Sequence, residues 1–331
     1  YENYPEPQYV WQSSAATNEF EPKFSLSPLA FGTLKAAMYA MLFALPLALA
    51  GAAFTAYFMS PGLRRLVKPT IEIMAALPTV ILGFLAGLWF APYLEENLAG
   101  VFSLMLFLPV GLLLFAWFWT RADWGIKGYV KEGWEPVLLL PVLVIFGWLS
   151  IELAGPLQSL FFGGDLRIWL SQEAGISYDQ RNAMVVGCAM GFAVIPTIFS
   201  IAEDAIFGVP KSLSDGSLAL GATPWQTLVR VILPTASPGI FSAILIGFGR
   251  AIGETMIVAI AAGAGPKFTF NPFESAETMT GHIVRISGGD LSYDSIDYNS
   301  IFAIGLMLFL ITLTLNIISR KIVRRFREVY E

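Results

Sequence analysis

The sequence predicts an all-α membrane protein with about seven transmembrane helices, and three observations lead there. Of 331 residues, 56% are hydrophobic and only 14% are charged, against about 25% charged in ordinary soluble domains. The apolar residues gather in continuous blocks, several of which reach the roughly 20 residues a helix needs to cross a bilayer core of about 30 Å. These blocks do not alternate polar with apolar as barrel strands do, and in lipid a backbone can satisfy its own hydrogen bonds only as helices or a closed barrel.

Seven blocks qualify in chain order. The first, 28–59, contains Pro46 and Gly51, and the second is 70–90. The third and fourth, 101–120 and 136–154, are followed by 181–201, by the glycine-rich 234–262 and by 300–319. Lys35 falls near the outer end of the first span, where a long stem is expected to carry its ammonium to the interface. Trp89, Tyr93 and Trp148 stand near span ends, as interfacial aromatics do. The polar, acidic segment 1–27 reads as the remainder of a longer external region.

Loop charges orient the bundle. Arg64, Arg65 and Lys68 follow the first span without an acid among them. Arg320, Lys321, Arg324, Arg325 and Arg327 follow the seventh, so both regions are expected inside, with 328–331 as the cytoplasmic tail end. Glu95 and Glu96, and the 267–299 loop with Glu274, Glu277, Asp290, Asp294 and Asp297, are expected outside. The 121–135 loop is charge-neutral and favours neither side. An odd number of spans agrees with an outer start and an inner end.

Between the fifth and sixth spans, 202–233 is too polar to cross a membrane. Pro210, Lys211 and Ser212 open a helix that Gly221 breaks, and Pro224 suits the first turn of a second. Trp225, Leu228, Val229 and Ile232 then recur at helical spacing. Two short amphipathic helices are expected on the inner face, either anchoring the bundle or docking an apolar ridge into a partner's groove.

Arg250 and Glu254 lie in the middle of the sixth span. A charge at the bilayer centre costs about 2.5–3.5 kcal/mol on insertion scales, so two of them require an explanation. Four residues apart, they are expected to share a helical face and pair. Such a pair is either a lock for the bundle or the lining of a polar pathway, where the arginine forks onto an oxyanion and the glutamate orients it. Thr255 adds a hydroxyl, and Gly247, Gly249 and Gly253 permit close helix approach or local unwinding.

Both regions resemble a known family. Asp215-Gly216-Ser217, then Gly221 followed by Ala222 and Trp225, then Val231-x-Leu233-Pro234 resembles the EAA loop of ABC importer permeases in spacing throughout, with Asp, Gly-Ser and Val replacing Glu, Ala-Ala and Ile. Gly249-Arg250-Ala251-Ile252-Gly253-Glu254-Thr255-Met256 is similar to the G-[RK]-A-x-G-E-T-M stretch of Pst-type phosphate permeases, its Met favouring a PstC-like over a PstA-like subunit. Glu72, Ala76-Leu77-Pro78-Thr79-Val80 and Gly83-Phe84, with Gly32-Thr33-Leu34, resemble two further stretches of that family. The resemblance implies a MetI-like core across a permease domain at 28–327, with 101–155 as an inserted helical hairpin and 202–233 as the coupling loop. It also implies a multi-pass protein of the bacterial inner membrane that moves phosphate past Arg250, Glu254 and Thr255. Asp215, Gly221, Ala222, Trp225, Leu233 and Pro234 would couple it to the ATPase, while Gly247, Gly249, Gly253 and Pro78 would pack helices. The implied partners are a PstA-like permease, two ATPase subunits and a periplasmic phosphate-binding protein. ATP and magnesium would belong to the ATPase, leaving no cofactor in this chain.

Other classes fit poorly. The chain has no Gly-rich phosphate loop ending in Lys-Ser/Thr. One histidine, His282, placed in a polar loop, and one cysteine, Cys188, placed in an apolar run, leave hydrolase triads and ordinary metal sites short of ligands. Nothing in the sequence suggests a nucleic-acid partner. Import of another oxyanion, such as molybdate or sulfate, and a mainly phosphate-sensing subunit are the alternatives to phosphate import.

Overall fold

The computed structural model describes residues 4–12, 22–121, 130, 135–289 and 295–326. The expectations for 1–3, for most of the 121–135 loop, for Asp290 and Asp294, and for the 328–331 tail lie outside the described residues.

The architecture is helical, with one two-residue antiparallel strand pair near the start, β1 (Trp11–Gln12) with β2 (Lys23–Phe24). Helix α1 (Ser27–Ala53) continues through a wider π turn to Phe58. Then come α2 (Pro61–Met74) and α3 (Thr79–Glu96), followed by α4 (Leu98–Arg121) and α5 (Leu139–Glu152). Two short helices, α6 (Ala154–Phe161) and α7 (Leu166–Gln172), lead to α8 (Ala183–Phe207). The remainder is α9 (Lys211–Ala219), α10 (Pro224–Ile252), α11 (Met256–Ala261), α12 (Met279–Ser287) and α13 (Ile296–Phe326). Five of these helices are long and apolar enough to cross a membrane, and the count reaches seven if each bent pair is one span.

At the centre α8 packs along α1 and against α10. Lipid tails are as apolar as leucine, so helices in a bilayer associate through close van der Waals packing rather than hydrophobic drive. Ala36, Ala40, Ala44, Ala48 and Ala52 form a fully buried row at a spacing of four on α1. Gly187 and Gly191 of α8 lie against Tyr39, Ala40 and Phe43 of that helix. The N-terminal amides of α8, which have no partner within the helix, are satisfied by Asn182, whose side chain accepts from Val185 N at 3.0 Å, and by the carbonyls of Pro272 and Glu274. That tie fixes the 263–278 loop over one end of the bundle, opposite the end carrying α9.

Several expectations are corrected here. The second span is two helices bent by 78°, because Pro78 removes a donor and disfavours helical geometry at Leu77. Pro78 is exposed at that bend and starts α3 rather than packing helices. The second helix of the 202–233 segment is not separate, since Pro224–Ile252 runs unbroken into the membrane. Lys35 does not snorkel: it is 2% exposed, and its Nζ has no hydrogen-bond partner among the described residues. His282 sits in α12, fully buried, rather than in a loop.

Two regions remain peripheral. In the α4–α5 hairpin, Leu113 and Val144 are each 71% exposed, so its apolar surface faces outward from the chain. Helix α13 is similarly bare, with 6% of its most apolar stretch buried.

Candidate functional site

Helix α8 carries an unusual run for an apolar span: Thr197, Ser200, Glu203 and Asp204. At 3.6 residues per turn, 197, 200 and 204 share one face and 203 lies beside them. Each level meets a polar partner. Arg250 Nη1 of α10 donates to Thr197 Oγ1 at 2.5 Å. One turn further, Ser200 Oγ donates to Glu72 Oε1 of α2 at 3.0 Å. At the next level Glu203, completely buried, takes Arg64 at 2.6 Å and Lys68 at 2.8 Å, and Lys68 also reaches Asp204 at 2.5 Å. The Arg64 guanidinium stacks 3.5 Å from the Phe207 ring centroid. A polar line about 9 Å long thus descends α8 from Arg250 toward the end that carries α9.

The expected Arg250–Glu254 pair does not form. The helix stops at Ile252, and Gly253, Glu254 and Thr255 break it before α11 begins. The Glu254 carboxylate turns to the Thr255 N–H at 3.2 Å, its carbonyl accepts from Thr280 Oγ1 at 2.7 Å, and Thr255 Oγ1 bonds back to the Gly253 carbonyl at 3.2 Å. Arg250 is therefore held by a neutral hydroxyl and by no carboxylate among the described residues. A guanidinium has five donors, and a hydroxyl partner orients it without cancelling its charge. This half-buried cation is free to bind an oxyanion in bidentate fashion.

Of the three glycines beside it, only Gly247 is a contact point between helices. A Cβ there would overlap the Ile198 side chain of α8. Gly249 faces open space, and Gly253 meets only carbonyls of its own helix. Gly253 thus belongs to the break and not to packing.

The residues expected to couple to an ATPase lie toward the other end. Asp215 lies on α9, which has no buried residue. Gly221 adopts φ +88°, a left-handed turn that other residues resist. Thr223 and Gln226 form a reciprocal capping box at the start of α10, with Pro224 in its first turn. Ser217 Oγ and Thr227 Oγ1, 3.0 Å apart, clamp α9 to α10. Leu220 and Trp225, 91% and 65% exposed, make an apolar ridge. Ala222 is half-buried in the turn, while Leu233 packs on the core and Pro234 lies exposed within α10. A single helix therefore joins the ridge at Trp225 to Arg250, about 38 Å away at 1.5 Å per residue.

Sequence reasoning missed Thr197, Ser200, Glu203 and the Arg64–Lys68 pair as parts of one site. Their spacing on α8 was a readable signal, but the partners lie 53 to 139 residues away. The described residues contain no group of three or more His, Cys, Asp or Glu side chains placed to hold a metal ion.

Residues 44–328 match the family described as the binding-protein-dependent transport system inner membrane component. The chain belongs to that family. It is a transport subunit and not an enzyme, a multi-pass membrane permease of an ABC importer whose family works with an ATPase and a binding protein. It is 25% identical over 292 residues to the probable ABC transporter permease protein YqgH of Bacillus subtilis, covering 88% of this chain and 69% of the relative. It is 24% identical over 301 residues to the phosphate transport system permease protein PstC 1 of Mycobacterium tuberculosis, covering 90% and 72%. With PstC of Mesorhizobium japonicum it shares 26% identity over 321 residues, covering 96% and 79%.

Proposed function

We propose that this chain translocates inorganic phosphate, with Arg250 as the transient ligand of the anion. The observation that carries the proposal is the uncancelled charge of Arg250, oriented by Thr197 at 2.5 Å and borne on the helix that begins at the Trp225 ridge. The names of several relatives, phosphate transport system permease proteins, support the choice of oxyanion.

In this reading the 202–233 loop and the C-terminal end lie in the cytoplasm, and the start of the chain lies outside. Two ATPase subunits close on ATP and magnesium, and one receives α9, Gly221 and Trp225. A push there travels along α10 as a rigid rod and moves Arg250 together with the Gly253–Thr255 break. A second, PstA-like permease closes the other side of the pathway, and a phosphate-binding protein delivers the anion. Glu254, one turn from Arg250 but turned away from it, is placed to replace the anion and speed its release when the break rearranges. Glu203, neutralised by Arg64 and Lys68, seals the inner end of the polar line.

The test is uptake of radiolabelled phosphate by the complete importer, in cells lacking other phosphate uptake, with unlabelled sulfate or molybdate as competitors. Uptake that neither competitor reduces supports the assignment. Strong competition by either one contradicts it in favour of a different oxyanion.

A further inference from the structure

At the end of the bundle away from α9, a cavity of about 240 Å³ lies between the start of α8, the far end of α11, the 263–265 turn and the start of α12. Arg181, Val258, Gly263, Glu277, Thr278 and Arg285 contribute to its lining. Two guanidinium groups and one carboxylate line it, and that carboxylate is already occupied. Glu277 is 3% exposed; its Oε1 is met by His282 Nδ1 at 2.7 Å and by Arg285 Nη2, and its Oε2 accepts the Gly265 N–H at 2.9 Å. Burial would raise its pKa, but the hydrogen bonds from His282 and Gly265 and the charge of Arg285 hold it below the ordinary carboxylate value.

The cations are in the opposite condition. Arg285 is bonded to Glu277 through one nitrogen and is otherwise half exposed. The Arg181 side chain has no hydrogen bond or ion pair among the described residues, and three acids at this end of the bundle are engaged elsewhere. Asp179 is bound to Lys267 at 2.9 Å, Glu95 to Arg167 at 2.9 Å and Gln180 at 2.6 Å, and Glu274 to Ser177. Arg181 thus lines the cavity with no carboxylate partner among the described residues. The wall that presents it is specific to glycine. Gly263 has φ +77°, and a Cβ there would come within 2.8 Å of the Arg181 carbonyl oxygen. The turn can lie against the Arg181 backbone only because that side chain is missing.

The location links this cavity to the site above. Its α11 wall, Val258 to Ile260, begins four residues beyond Glu254, so it lies about 6–9 Å along the helix from the break next to Arg250. We infer that the cavity is an outer oxyanion site, in which Arg181 and the free side of Arg285 hold a tetrahedral oxyanion of the phosphate class before it passes the Glu254–Thr255 break. The order of travel rests on the import reading; the binding of an anion there does not.

The experiment uses the complete importer in membranes, carrying Cys188→Ser and Ala264→Cys, since Ala264 is exposed and lines the cavity. The rate at which an anionic methanethiosulfonate reagent modifies the introduced thiol is measured with inorganic phosphate, and with chloride at equal ionic strength. A site of roughly 1 mM affinity is about nine-tenths filled at roughly 10 mM phosphate, so labelling slows about tenfold. Adding Arg181→Gln removes that protection and lowers phosphate uptake about tenfold or more, as loss of a charged hydrogen bond does. Arg181→Lys restores part of both. Labelling that phosphate does not slow, or protection that survives Arg181→Gln, overturns the inference. Labelling requires no transport, so protection in a complex that imports no phosphate upholds the site and defeats the import reading alone.

Discussion

Two arginines in this bundle, Arg64 and Arg250, are held in opposite ways. Arg64 is bonded to a fully buried carboxylate, shares it with Lys68 and stacks on Phe207. Arg250 rests on the hydroxyl of Thr197, and the carboxylate four residues on points elsewhere. The first arrangement cancels charge and ties α2 to α8. The second keeps the charge and fixes only its direction. A cation in a membrane is costly unless it is paired or serves a pathway, so on the proposed reading the contrast is between a structural lock and an anion ligand.

Breaking the lock should produce the largest effect on stability. Glu203→Ala strands Arg64 and Lys68 and should destabilise the protein by roughly 3–5 kcal/mol, read as a large fall in the thermal midpoint of the detergent-solubilised importer. Arg250→Gln should do the reverse, leaving that midpoint nearly unchanged while removing roughly 1.5–3 kcal/mol of anion stabilisation, a loss of about ten- to hundredfold in uptake. Gly247→Leu separates α10 from α8 at Ile198. It should cost about 1–3 kcal/mol and lower both stability and uptake, because it moves Arg250 relative to Thr197. Thr197→Val should cost only about 1 kcal/mol, seen as a modest rise in the phosphate concentration for half-maximal uptake.

A smaller effect concerns pH at the opposite end. The Glu277 carboxyl is held below its ordinary 4.5, so the stability it contributes is fully present above about pH 4.5. That contribution is lost as pH falls through its lowered value in the folded protein. The difference in thermal midpoint between the wild type and Glu277→Gln should therefore narrow on going from neutral pH to below pH 4.5. A difference that stays constant would mean that the His282 and Gly265 contacts do not depend on the charge of Glu277.

Much of this could be read from the sequence, and the failures share a cause. The apolar blocks located the spans because hydropathy averages over a window and ignores direction. The same averaging hid the 78° bend at Pro78, although the proline was visible. Helical spacing placed Arg250 and Glu254 on one face, but Gly253 between them ends the helix, and Thr280 supplies the partner that makes the break affordable. Lys35 and His282 were misplaced because their burial depends on the 263–287 region folding over the bundle end, a contact between distant segments. The turn at Gly221 and the helix start at Pro224 were legible because such signals are local. The Thr197–Arg250 contact was not, since nothing local announces which helix face meets which.

The decisive measurement is radiolabelled phosphate uptake by the complete importer, comparing wild type, Arg250→Gln and Arg250→Lys at matched membrane abundance and with thermal midpoints recorded alongside. The account predicts uptake lost in Arg250→Gln and partly kept in Arg250→Lys, with all three midpoints alike. Normal uptake in Arg250→Gln, or loss that only follows a collapsed midpoint, would contradict it and make Arg250 a second structural lock.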